Sequence, residues 1–149
     1  MSLKDRIEAD YREAFKSQEA NAMIALRMLK AAVKNAEIAH HSDYEDDQVI
    51  SVVNKEVKKI RESIAAYSKG NRADLVSQEE AQLAVLSKYL PEQLSDDELR
   101  DIVQDVIDRL GVKDQNDFGK TMKEVMAVTK GTADGKKVKE LVQNLLSKN

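Results

Sequence analysis

The stretch that decides the fold is Val53–Gly70, VNKEVKKIRESIAAYSKG. Its apolar residues recur at alternating intervals of four and three. Such intervals place side chains on one stripe of an α-helix, the pattern of a helix packed against another helix. Gly70 is predicted to end this helix, since glycine is the commonest residue just past a helical C-terminus. The residues of the stripe are Val53, Val57, Ile60, Ile64 and Tyr67.

The composition of the whole chain favours the same kind of structure. Its 149 residues include one proline and five glycines, aromatic residues make up 4%, and charged residues make up 34%. Ala, Leu, Glu, Lys, Gln and Met are good helix formers, whereas strands draw on aromatic and β-branched residues. The expected fold class is therefore all-α.

Seven helices are predicted from apolar spacing and from helix start and stop signals. Ser2 and Asp43 are expected N-caps, and the sequence from Ser95 to Glu98 has the form of a capping box. Phe15 and Met126 are placed on the inward stripes of the first and sixth helices. The predicted ranges are about 2–16, 18–41, 43–70, 72–89, 95–111, 118–131 and 134 onwards.

A domain boundary is expected near the single proline. Pro91 follows a predicted helix, and the residue before a proline is disfavoured in the α conformation. We therefore predict an N-terminal array of about four helices in residues 1–92. A C-terminal domain of three helices is predicted in residues 93–149.

Charge is segregated along the chain, although the net charge is only −3. The segment 92–117 has nine acids against three bases, a net of −6, whereas 118–149 has seven lysines against three acids, a net of +4. Local fields govern encounters with charged partners. The basic segment can therefore attract anions, although a run of charges is more often an ordinary solvated helix face.

Three basic faces are candidates for binding phosphate groups. Lys and Arg side chains on rigid helices contact phosphates by charge, and residues three, four or seven apart share a helix face. Taken singly, each face is better explained by solvated charge pairs, and only the three faces together make phosphate binding a competitive interpretation. The candidates are Arg27, Lys30 and Lys34 on the second helix, Lys55, Lys58 and, past the glycine, Arg72 at the third, and Lys120, Lys123 and Lys130 on the sixth.

The turn before the last helix is a further candidate. Residues 131–137, GTADGKK, place Gly131 in a turn and Lys136 and Lys137 at a helix start, where amide groups can hold an anion. Gly119, in the first turn of the sixth helix, should lower helix stability unless something approaches closely. That neighbour is either another helix or a ligand; for the turn, the alternative is a plain connection.

The residues offer no catalytic or metal site by pattern. Cysteine is absent, and His40 and His41, the two histidines, point about 100° apart on a helix. Glu79 and Glu80 are the best carboxylate pair, but general acid–base catalysis needs a pocket that shifts a pKa. We therefore expect no catalytic residue, no metal and no cofactor. No apolar run suits a membrane span or a signal peptide, so the expected location is the cytoplasm.

Six segments, in order along the chain, carry a resemblance to a known family: RMLKAAVKNAE at 27–37, KEVKKIRESI at 55–64, GNRADL at 70–75, YLP at 89–91, GKTMK at 119–123 and GTADGK at 131–136. Together they resemble the YqeY family. The C-terminal part, residues 93–149, also resembles the tail domain of the B subunit of tRNA-dependent Asp/Glu amidotransferase. That resemblance implies an all-helical protein in two subdomains. It also implies that Gly119, Lys120, Lys123, Gly131 and Lys136 are candidate tRNA contacts.

The expected function is a non-catalytic tRNA-binding accessory module. One alternative is an adaptor whose acidic segment 92–117 docks an enzyme of aminoacyl-tRNA formation, such as an aminoacyl-tRNA synthetase or an amidotransferase. A second alternative is an amidotransferase-like enzyme, since the family label is carbon–nitrogen ligase activity with glutamine as amido donor. Whether the chain is an enzyme stays open on the label, although its residues favour a binding module.

Overall fold

The computed structural model describes residues 1–147, which form seven α-helices and one short 3-10 helix and contain no β-strand. The all-α prediction is therefore confirmed. The chain divides into two compact units, Met1–Leu90 and Pro91–Asn149. Each unit has its own hydrophobic core.

Unit 1 contains four helices: α1 (Leu3–Ser17), α2 (Ala20–His40), α3 (Asp46–Lys69) and α4 (Ala73–Ser87). Helix α2 packs against both α1 and α4, and α3 packs most extensively against α4. Leu29, Val49 and Val53 are fully buried at the centre. Burial of each such side chain contributes about 1.5–3 kcal/mol to stability. The stripe that begins at Val53 thus lies in the core of a helical array.

Unit 2 contains α5 (Asp96–Leu110), the 3-10 helix Gln115–Asp117, α6 (Phe118–Val128) and α7 (Gly135–Ser147). All three α-helices pack against one another. Their shared core includes four side chains with no solvent exposure, Val103, Val125, Val138 and Val142.

Several helix ends follow the sequence signals. Ser2 and Ser95 cap α1 and α5, each as part of a capping box. Gly111 ends α5 with a φ of 66°. Gly70 ends α3, but its own φ is −85°, and the left-handed residue is Asn71 with a φ of 57°. An asparagine can adopt this conformation at modest cost.

Other ends were predicted wrongly. Helix α3 begins after Glu45 rather than Asp43, because the Gln48 side chain accepts a hydrogen bond from the Glu45 amide and completes a capping box. Helix α6 ends at Val128 rather than at Gly131. The buried Thr129 caps it, donating its hydroxyl to the Val125 carbonyl.

Two side chains placed on inward stripes are exposed. Phe15 is 60% exposed, because Ala14 takes the buried position in that turn of α1. Met126 is 41% exposed, since Val125 fills the core beside it. In both helices the buried stripe is narrower than the sequence spacing suggested.

Candidate nucleic-acid interface

The outward side of α6 carries two lysines beside a glycine. Lys120 and Lys123 are three residues apart, and Gly119 and Lys123 are four apart, so all three share a helix face. All three are exposed. No ion pair within residues 1–147 involves either lysine. We call Gly119, Lys120 and Lys123 the α6 face.

Gly119 has open space where a side chain would stand. A Cβ built on it meets no atom within 4 Å, and its φ is not in the left-handed region. Packing of a neighbouring helix within unit 2 therefore does not explain the glycine. The open space leaves room for close approach of a ligand, the second of the two reasons that the sequence left open.

Lys130 does not continue the α6 face as a helical residue. The sequence placed it seven residues after Lys123 on one helix, but α6 ends at Val128 and Lys130 follows in the connection. It remains exposed, near the C-terminal end of α6. The prediction that Lys123 and Lys130 share a face of one helix is therefore wrong.

The connection between α6 and α7 is a hydrogen-bonded turn. Gly131 has a φ of 76°, which favours glycine. Its carbonyl accepts a hydrogen bond of 2.9 Å from the Gln93 side chain. The Leu94 amide donates to the Thr132 carbonyl at 2.8 Å. Sequence reasoning missed Gln93, because it stands 38 residues from its partner and belongs to no local motif.

The start of α7 is already occupied by a carboxylate of the same chain. Asp134 Oδ1 accepts a hydrogen bond of 3.2 Å from the Lys136 amide, and the Asp134 carbonyl accepts one from the Val138 amide. Asp134 thus caps α7. Lys136 and Lys137 are both exposed, but the Lys137 ammonium lies 3.2 Å from Asp96 Oδ1, whereas Lys136 forms no ion pair within residues 1–147. The start of α7 is therefore not open to a phosphate group at its backbone amides. Of Lys136 and Lys137, Lys136 has the charge that is more available to a ligand.

The basic side of α2 is turned towards α1. Lys30 Nζ lies 2.7 Å from Glu8 Oε2 and 4.4 Å from the centre of the Tyr11 ring. The Arg27 guanidinium donates a hydrogen bond of 3.3 Å to the Tyr11 hydroxyl. The hydrogen bond from Lys30 lowers the pKa of Glu8. Arg27 and Lys34 remain exposed, but Lys30 mainly joins two helices.

At the third candidate face, the cations have different surroundings. Lys55 and Lys58 are exposed on α3. Arg72 instead donates two hydrogen bonds, of 3.3 and 3.2 Å, to the Asp74 carboxylate. These hydrogen bonds are the main cause of the lowered pKa of Asp74. The charge of Arg72 is therefore largely balanced within the turn between α3 and α4.

Other kinds of site find little support in the described part of the chain. In the range 1–147 there is no group of three or more His, Asp or Glu side chains placed to hold a metal ion. His40 stacks at a tilt on Tyr44, with ring centres 5.8 Å apart. None of the helices within these residues is long and apolar enough to cross a membrane.

Comparison with known proteins decides the family. A family model described as Yqey-like protein matches residues 4–146. The chain belongs to the YqeY family. The family thus covers both units, including α2, α3 and the α6 face.

Curated relatives from fungi are similar to this YqeY-family chain. A protein of Pyrenophora tritici-repentis, named altered inheritance of mitochondria protein 41, mitochondrial, is 28% identical over 144 residues, which are 95% of this chain and 79% of the relative. An uncharacterized protein of Schizosaccharomyces pombe is 28% identical over 83 residues, covering 56% and 68%. A second protein 41, from Vanderwaltozyma polyspora, is 26% identical over 85 residues, covering 56% and 46%.

These names correct the expectation about location. The sequence alone pointed to the cytoplasm, but two of the relatives are named as mitochondrial proteins. The predicted cytoplasmic location is therefore wrong.

Proposed function

We propose that this YqeY-family chain is a non-catalytic accessory module that binds tRNA through the α6 face. The observation that carries the proposal is the pair of exposed lysines, Lys120 and Lys123, beside the open backbone at Gly119. Lys130 and Lys136, both exposed, add positive charge in the same unit. The resemblance to the tail domain of the amidotransferase B subunit supports the choice of tRNA.

The exposed lysines of α6 and of the turn that follows it suit a phosphate backbone better than a small substrate. Lysines held on a helix act as point charges, and their interactions with phosphates give affinity that falls as salt rises. The missing side chain at Gly119 lets a bulky sugar–phosphate chain approach the helix backbone. An RNA helix is recognised mainly by its shape and backbone. These features support binding of a folded RNA without chemistry on it.

The proposal is tested by measuring tRNA affinity against salt concentration for the whole chain. Replacing Lys120 and Lys123 by Gln should weaken binding and make the salt dependence less steep, by about 0.7–0.9 in the log–log slope for each phosphate that is no longer neutralised. Lys137→Gln is the matched control, because Lys137 is already paired with Asp96. Absence of tRNA binding by the wild-type chain at low salt contradicts the proposal.

A second candidate is the adaptor for an enzyme of aminoacyl-tRNA formation. The observation in its favour is an exposed acidic stripe along α5, formed by Asp97, Asp101, Asp105 and Asp108 at intervals of four and three. Such a stripe suits a basic protein surface. Binding of a purified aminoacyl-tRNA synthetase or amidotransferase after nuclease treatment, abolished when Asp101 and Asp105 become Asn, supports this candidate over the first.

A further inference from the structure

Helix α2 has an apolar stripe on its outward side, distinct from the side that faces the core. Ile24 is 43% exposed, Met28 is 49% exposed and Ile38 is 61% exposed. Ala31 and Asn35 complete the intervals, which alternate four and three, and both are exposed. We call these five residues the α2 outer stripe. Alternating intervals of four and three are those of a seam between two packed helices.

The length of the α2 outer stripe defines the size of what can cover it. Fourteen residues separate Ile24 from Ile38, which corresponds to about 21 Å along a helix. Phe15, 60% exposed, lies towards the same end of the α1–α2 hairpin as Ile24. Exposed large apolar side chains that share one helix face, rather than standing singly over the surface, indicate an interaction site. A helix of about four turns fits this surface.

Charges along one flank of the α2 outer stripe define the chemistry of the partner. Arg27 and Lys34 are seven residues apart, so they share a side of the helix, and both are exposed. Lys30 lies between them, but Glu8 neutralises it at 2.7 Å. Arg27 donates to the neutral Tyr11 hydroxyl and so keeps its charge, and the two cations favour acidic residues on a helix that packs beside them, as in the charged flanks of paired helices.

A second copy of this chain does not supply those acids. In an antiparallel pair related by a two-fold axis, equivalent flanks face each other, so Arg27 of one copy approaches Lys34 of the other. Like charges placed so are repulsive. In a parallel pair the opposite flank, which holds Ala32 and Asn21, offers no carboxylate.

We propose that the α2 outer stripe docks an amphipathic α-helix of another protein, with apolar residues at heptad spacing and Asp or Glu along one flank. The docking surface uses no residue of the α6 face. It therefore stands or fails separately from tRNA binding.

The test uses two synthetic helical peptides of about four turns, with Leu at the seam and either Glu or Lys at the flanking positions. Binding of each labelled peptide to the full chain is measured by fluorescence anisotropy at moderate salt, below the concentration at which the peptide self-associates. The Glu peptide should bind about tenfold or more tightly than the Lys peptide, because only its flank complements Arg27 and Lys34.

Variants make the test specific. Met28→Lys should abolish binding of the Glu peptide, and Val128→Lys, at a 53% exposed apolar residue of α6, is the matched control and should leave it unchanged. Arg27→Glu with Lys34→Glu should reverse the preference to the Lys peptide. Thermal unfolding confirms that each variant is folded.

Three results overturn the proposal. Equal binding of both peptides indicates non-specific apolar contact, and binding of neither peptide shows that the stripe has no affinity for such a helix. Self-association of the wild-type chain that Met28→Lys abolishes, measured by analytical ultracentrifugation, assigns the stripe to a second copy.

Discussion

The ammonium group of Lys30 on α2 lies 2.7 Å from the carboxylate of Glu8 on α1. A second pair, Lys4 with Glu37 at 2.7 Å, joins the same two helices, and the Glu37 carboxylate also accepts a hydrogen bond from the Tyr44 amide. A cation that the sequence assigned to phosphate binding therefore holds the first hairpin together. The consequence for stability can be measured.

Unit 1 should lose stability in acid through these two pairs. Hydrogen bonds from Lys30 and Lys4 lower the pKa values of Glu8 and Glu37 below those of ordinary carboxylates. Such groups contribute stability that is complete above the unfolded-state pKa and is lost as pH falls through the lowered folded-state pKa. The melting temperature should therefore fall below about pH 4.5, and less steeply when both glutamates are replaced by Gln. Thermal unfolding of the wild type and of the double variant across this pH range measures the difference.

The control for the acid series is Lys55→Met, which removes an exposed lysine with no ion pair in the described part of the chain. It should leave the pH dependence unchanged. If the melting temperatures of the wild type and of the double glutamine variant fall equally steeply with pH, these pairs do not contribute to the acid sensitivity of unit 1.

Gly119→Ala should change stability and tRNA binding in opposite directions. The added methyl group meets no atom within 4 Å, and alanine is the better helix former. The free energy of unfolding should rise by about 0.5–1 kcal/mol. The affinity for tRNA should fall, because the methyl group occupies the space that the RNA backbone needs. Urea unfolding and tRNA titration of the same sample measure both effects.

The same substitution in unit 1, Gly70→Ala, is the control. Its Cβ meets the Ala66 and Tyr67 carbonyl oxygens at 3.7 Å, an ordinary van der Waals distance, and it is remote in sequence from the α6 face. It should leave tRNA binding unchanged. If Gly119→Ala raises stability and binds tRNA as the wild type does, the glycine is not a site of close approach.

The helices could be predicted because the signals that specify them are local. The capping box joins Ser95 to Glu98, three residues away, and the stripe around Val53 repeats within one helix. Such patterns carry their own geometry. The ends at Glu45 and Val128 were missed because glutamate and threonine are weaker end signals than aspartate and glycine.

The candidate site was harder to predict, because the state of each charge depends on how the helices pack together. Lys30 and Glu8 are 22 residues apart, and only the pairing of α1 with α2 brings them together. Nothing in the sequence distinguishes Lys30 from Lys120, which forms no ion pair within residues 1–147. Spacing predicts which residues share a face, but it does not predict which neighbour covers that face.

Ser95→Ala should destabilise unit 2 by about 1 kcal/mol. The Ser95 hydroxyl accepts a hydrogen bond from the Glu98 amide at the start of α5, and alanine cannot replace it. Urea unfolding followed by circular dichroism measures the change. Ser77→Ala, at an exposed position inside α4, is the matched control and should be neutral or slightly stabilising, since alanine is the better helix former there. Equal effects of the two substitutions contradict a capping role.

Gly131→Ala should do the reverse of Gly119→Ala and destabilise unit 2. The φ of Gly131 is 76°, a conformation that costs other residues roughly 1–2 kcal/mol. The Gly131 carbonyl also accepts a hydrogen bond of 2.9 Å from the Gln93 side chain, and a shift of the turn weakens that hydrogen bond as well. Gly131→Asn is the informative companion, because asparagine adopts left-handed conformations more readily than alanine. Its melting temperature should lie between those of the wild type and Gly131→Ala. If all three proteins melt together, the turn adapts without strain and the glycine serves another purpose.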